Sequence, residues 1–144
     1  MNKYYIVYNL SNKIASAAGH NLLIKFFNEL EILSSLKESI SQRINNNSDF
    51  EINVSELQEI VPALSEKINN LLSAPDFNPF KEREREEYPA AYNKFPFIWN
   101  GVTYYLYPKD NDIDSEINRT NGYLKLIQEF INQNKPLKYI YKSS

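Results

Sequence analysis

The sequence predicts an α+β protein, residues 1–144 forming a single domain on a four-stranded, mostly antiparallel sheet with helices on one face. Three observations carry that expectation. Aromatic and β-branched runs flank Asn100-Gly101 between Phe95 and Tyr107, which is the signature of a β-hairpin. Tyr4–Asn9 and Leu137–Tyr141 are rich in β-forming residues and bracket the chain. Between these elements lie stretches whose apolar residues recur at helical spacing.

Along the chain, Tyr4–Asn9 reads as a strand because Tyr4, Ile6 and Tyr8 alternate with Tyr5 and Val7. Ser11–Gly19 is small and polar and reads as a loop. A long amphipathic helix is predicted from Asn21 to Ile44. Its stripe is Leu22, Phe26, Leu30, Leu33, Ile40 and Ile44, widened by Leu23, Phe27 and Leu36. Asn45-Asn46-Asn47 ends it. Phe50–Val54 alternates but is short, so it reads as an edge strand or an extended linker.

Ser55-Glu56-Leu57-Gln58 has the form of a capping box, predicting a second helix to Ser73. Its apolar face holds Leu57, Ile60, Val61, Leu64, Ile68, Leu71 and Leu72. Pro62 lies too deep to be an N1 proline and predicts a kink or a broken turn. Ala74–Pro79 is a loop. Lys81–Glu87 alternates in charge and ends before Pro89.

The hairpin fixes its own register, because a two-residue turn pairs Trp99 with Val102. Phe95, Phe97, Trp99, Val102, Tyr104 and Leu106 then share a face that reads as core. Pro96, Ile98, Thr103, Tyr105 and Tyr107 share the other. An acidic loop, Asp110–Glu116, leads to a third helix, Ser115–Asn132. Its register carries Ile117, Leu124, Ile127 and Ile131. Pro136 bars continuation before the last strand.

The resulting order is β-α-α-β-β-α-β. With the helical pair taken as one layer, this is the split pattern of ferredoxin-like folds. Right-handed crossovers would set the first strand parallel to Val102–Tyr107 and the last strand beside the hairpin's other half. A plain antiparallel sheet with a different strand order satisfies the same pattern.

Composition narrows the chemistry. A chain of 144 residues can bury roughly 68–70% of its unfolded surface without a disulfide or metal staple. It has no cysteine, hence no disulfide and no thiolate zinc site. The first residues lack the apolar core of a leader, and no stretch reaches the roughly 20 apolar residues of a membrane span. The sequence therefore reads as cytoplasmic. A net charge of −2 and a pI near 5.5 weigh against broad binding to phosphate backbones.

Catalytic signals are thin. His20 is the single histidine, beside Gly19 at a predicted helix start, and reads as solvated or capping. The three glycines, at 19, 101 and 122, cannot build a phosphate loop. Asp110-Asn111-Asp112-Ile113-Asp114-Ser115-Glu116 resembles the opening of a calcium loop. However, Ser115 stands at the turn glycine and Asn121 at the bidentate Glu position. The simpler reading makes Asp112 or Asp114 a helix N-cap favoured by the dipole, with no metal or other cofactor. Lys81–Glu87 reads as a solvated, ion-paired segment or as a docking surface.

Tyrosine is the remaining signal. Tyr105 and Tyr107, with Tyr4 and Tyr8 or Tyr5, and Tyr139 and Tyr141, could line one sheet face. Together these features predict a non-enzymatic module that binds another protein. Its contact surface is predicted at Tyr105, Tyr107, Asp110, Asp112, Asp114 and Glu116. An immunity-type inhibitor that neutralises a basic bacterial toxin domain has this profile. The alternative is a nucleic-acid-binding sheet using the tyrosines with Lys3, Lys109, Lys138 and Lys142.

Overall fold

The computed structural model describes residues 2–75, 77, 95–106 and 112–144. They form an α+β fold with a four-stranded antiparallel sheet, as the sequence predicts, and four helices among the described residues. Contacts divide the chain into two compact units: residues 1–66 with 123–144, and residues 67–122.

In the first unit, β1 (Lys3–Tyr8) and β2 (Ile14–Gly19) precede α1 (His20–Asn28), α2 (Ser34–Asn45) and β3 (Phe50–Ile52). Helix α3 (Val54–Leu72) enters the second unit at Lys67. The second unit also holds β4 (Phe95–Trp99) and β5 (Val102–Leu106). Helix α4 (Asp112–Asn132) returns to the first unit at Tyr123, where β6 (Leu137–Ser143) closes the chain.

The large sheet has the order β2-β1-β6-β3, and every pairing in it is antiparallel. This corrects the pairing expected of a ferredoxin-like sheet. The β4–β5 hairpin forms a separate two-stranded sheet. The reason is occupancy: β1 already has β2 and β6 as neighbours, and β6 has β1 and β3, so neither can accept a hairpin strand.

Strand β2 falls in the segment read as a loop. Its residues are small, and the turn before it lacks the Asn-Gly signal. Asn9 builds the turn instead. Its side-chain oxygen accepts from the Ser11 and Lys13 amides at 2.9 and 3.0 Å, and its own amide donates to the Lys13 carbonyl at 2.8 Å. Asn12 supplies the positive φ of 60°.

The predicted long helix is two helices. The chain breaks after Asn28, and Leu33 is extended at the start of α2. Lys37 donates to the Asn28 carbonyl at 3.0 Å, serving an orphan acceptor at the end of α1. The break rotates the inward face. Leu23, Phe27 and Leu30 are buried, whereas Leu22 and Leu33 are each 65% exposed.

Helix α3 (Val54–Leu72) is capped two residues before the predicted position, with Asn53 and Glu56 taking the capping-box roles. The Asn53 side-chain oxygen accepts from the Glu56 amide at 2.8 Å, and Glu56 accepts from the Asn53 amide at 3.0 Å. The helix then runs through Pro62 without breaking. At the end of α4, the Lys135 amide reaches the Phe130 carbonyl and the Asn134 amide reaches Ile131, both at 2.9 Å. With Asn134 at φ 53°, this is a Schellman cap, and Pro136 follows it.

Alternation along the sheet sets the first unit's core. Tyr5 and Val7 on β1, Phe50 and Ile52 on β3, and Leu137 and Tyr139 on β6 point inward. The Phe50 and Tyr139 rings stack with centroids 4.6 Å apart, and Phe27 of α1 meets Tyr139 edge-on. The Tyr5 hydroxyl donates to the Ile44 carbonyl at the end of α2.

In the second unit the hairpin register is as predicted, with Trp99 opposite Val102. Asn100 and Gly101 both have positive φ, 51° and 78°. Burial fades toward the turn: Leu106 and Phe97 are buried, Trp99 is half-buried and Val102 is 37% exposed. This corrects the reading of Trp99 and Val102 as core. Its indole Nε1 donates to Asn69 Oδ1 of α3 at 2.7 Å, which ties the hairpin to that helix.

Candidate interaction surface

The predicted contact residues do not form one surface among the described residues. Tyr107 and Asp110 lie outside them, as does Lys81–Glu87. Tyr105 is half-buried on β5, and Asp112 is exposed in the first turn of α4. Asp114 is fully buried and so cannot present a charge to a partner. The reason is that α4 starts three residues earlier than predicted. Asp114 is therefore helical and sits one turn before Ile117, on the same inward face. Glu116 is engaged by Lys67 at 2.8 Å and Arg119 at 3.0 Å.

Asp112 and Asp114 are first-turn helical residues rather than N-caps, and the dipole argument applies to them there. An EF-hand loop would need non-helical backbone at Asp112, Asp114 and Glu116. Among the described residues no cluster of His, Asp and Glu could hold a metal ion, and no helix is long and apolar enough to cross a membrane.

The large sheet offers a different surface. Its register places Tyr4, Ile6 and Tyr8 of β1 on the face opposite the core. Tyr4 pairs with Lys142 and Ile6 with Ile140, so β6 adds alternating lysine and isoleucine to that face. Tyr5, Tyr139 and Tyr141 lie on the other side of the sheet. The predicted single row of tyrosines is therefore split by the pleat, a period-two constraint that no sequence spacing can evade.

At the turn end of the β1–β2 hairpin, Tyr8, Leu10 and Ile14 are 39, 39 and 61% exposed. A groove of about 280 Å³ lies beside them, where Tyr8, Leu10 and Phe130 meet Lys135, Lys138 and Ile140. A second groove, of about 650 Å³, lies at the opposite end of β2 between Lys3, Tyr4, Gly19 and His20. His20 begins α1, its Nδ1 3.1 Å from Asn21 Oδ1. No acidic residue lines either groove.

The sequence hides this surface because Ser11–Gly19 reads as a loop, and without a second strand there is no hairpin end to expose. The usable signal was Asn9 and Asn12 spaced to close a turn between two uncharged runs. Comparison with protein-family models, curated proteins and solved structures finds no match to this chain. The fold and this surface define an α+β protein with an aromatic and basic sheet end.

Proposed function

We propose that the protein is a binding module whose partner is another protein. The observation that supports this reading is the exposed apolar group Tyr8, Leu10 and Ile14 at one end of the sheet, beside Lys135 and Lys138. Exposed aromatic and aliphatic side chains next to a charged rim match the anatomy of protein interfaces. The immunity-type version of the reading requires a toxin as the partner. It called for an acidic contact surface, yet the side chains grouped here are basic.

Affinity capture with the tagged full chain tests the proposal, using Tyr8→Ser, Leu10→Ser and Ile14→Ser together as the control. All three side chains are exposed, so the control should keep the wild-type circular dichroism spectrum. A protein that the wild type captures, that the control loses and that rebinds as purified material supports the reading. If that protein is a toxin whose activity the chain suppresses, the immunity-type version stands. Capture unaffected by the triple substitution refutes this surface.

A second reading has its own observation. Tyr4 and Tyr8 share a sheet face with Lys138 and Lys142, an arrangement on which bases of single-stranded RNA could stack. Tight, salt-dependent binding of a single-stranded oligonucleotide, lost in Tyr8→Ala, would favour it.

A further inference from the structure

We infer that β2 is a docking edge that takes an extended segment of a partner protein as a fifth strand, and that this segment carries acidic side chains at its two ends. The inference rests on the protein-binding reading and names how that partner is held.

An edge strand offers a row of backbone donors and acceptors, and proteins usually blunt such edges with charge, proline or brevity. The two edges of this sheet differ. At one, β3 is three residues long, carries the exposed Glu51, and has the Glu51 carbonyl engaged by Arg43 at 3.0 Å. At the other, β2 is six residues long, Ile-Ala-Ser-Ala-Ala-Gly, with no charge and no proline. Ala15 and Ala17 are exposed, and small side chains let another backbone approach closely. The irregularity between Val7 and Tyr8 leaves four successive pairs, Tyr4 with Gly19 through Val7 with Ser16, in regular register. Beyond β2 there is no further strand among the described residues. An edge of this kind is complementary to one thing, an extended backbone.

Charge selects which backbone. Lys13 adjoins Ile14 at one end of β2. Lys3 and His20 line the groove at the Gly19 end. An added strand with Asp or Glu flanking its central residues meets positive charge at both ends. A second copy of this chain does not fit. Whether two β2 strands pair parallel or antiparallel, the basic ends of one copy meet the basic ends of the other.

The probe is a displayed library of random peptides selected on the immobilised full chain. Enriched peptides should alternate β-forming residues between acidic flanks. A synthetic peptide of the enriched sequence should slow amide exchange at residues 14–19. High salt should weaken its binding, and Lys13→Glu, an exposed turn substitution, should weaken it about fivefold by opposing the acidic flank. Ala17→Pro should abolish binding, and Lys13→Glu keeps the test valid if that variant fails to fold.

No enrichment, peptides that leave the exchange of residues 14–19 unchanged, or equal binding by Lys13→Glu each overturn the inference. So does a dimer of this chain that protects the same amides. If a captured partner protein binds while β2 exchange is unaffected, the strand-addition inference falls and the protein-binding reading survives.

Discussion

Replacing Glu56 should destabilise the first unit through two structures at once. Its carboxylate closes the capping box on the Asn53 amide and takes a two-pronged hydrogen bond from Arg43, Nη1 to Oε1 at 2.9 Å and Nη2 to Oε2 at 2.6 Å. Arg43 also holds the Glu51 carbonyl and Ser39 Oγ, so the pair joins α2, β3 and the start of α3. The two side chains are 26% and 17% exposed, so water screens the pair only partly. A lost cap contributes roughly 1 kcal/mol and charge-assisted hydrogen bonds somewhat more, which puts Glu56→Ala at about 2 kcal/mol. Glu56→Gln keeps an acceptor for both partners and should cost about half that. The Arg43 hydrogen bonds hold the Glu56 carboxyl below its usual range, against the opposing effect of its burial. A depressed carboxylate stabilises the fold above its unfolded pKa of about 4.3, and that stability is lost as pH falls through the lower folded value. Wild type should therefore lose stability in acid more steeply than Glu56→Gln. Trp99 reports on the second unit, so the assay is amide exchange at residues 54–60 in α3, followed against urea and pH. Ser55→Ala is the internal control, since Asn53 and not Ser55 is the cap, and it should change stability by less than about 0.5 kcal/mol. A Glu56→Ala variant as stable as wild type, or an acid transition that Glu56→Gln leaves unchanged, would refute the coupled cap and ion pair.

Trp99→Phe should cost about 1 kcal/mol by orphaning Asn69 Oδ1, and Trp99→Ala about 2 kcal/mol because the indole is only half-buried. The wild-type emission maximum should fall between those of buried and fully exposed tryptophan, and an emission typical of full exposure would refute the Asn69 contact. Burial raises the pKa of both Tyr5 and Tyr123 above the ordinary phenol value. The unfolded chain loses these protons near pH 10 while the folded chain keeps them, so stability should fall as pH rises past that point. Ultraviolet titration should show a tyrosine class that ionises only with alkaline unfolding; smooth ionisation of every tyrosine in the folded state would contradict the buried positions.

Much of the fold was legible where a residue acts through its own backbone. Asn100-Gly101 set the hairpin register, and alternation set the inward residues of β1, β3 and β6. The Asn45–Asn47 and Pro136 stops fell where helices end. The candidate surface was less legible. Tyr105 and Asp112 are at least partly accessible, but Asp114 turned inward with one extra turn of helix and Glu116 was taken up by Lys67 and Arg119.

The sequence by itself determined the class, the hairpin, the helical stretches and the absence of cysteine chemistry, because propensity, turn chemistry and periodicity are local. Only the tertiary structure decided that β2 exists, that the Leu22–Ile44 stripe breaks after Asn28, and that β4 and β5 pair with each other as a separate two-stranded sheet. Strand β2 is too small-chained to announce itself and is held by pairing with β1. The helical stripe is compatible with one helix or two, and the break between Asn28 and Ser34 leaves Leu22 and Leu33 of that stripe exposed. Which strands meet depends on which edges are already occupied, and that is a property of the whole sheet rather than of any one segment.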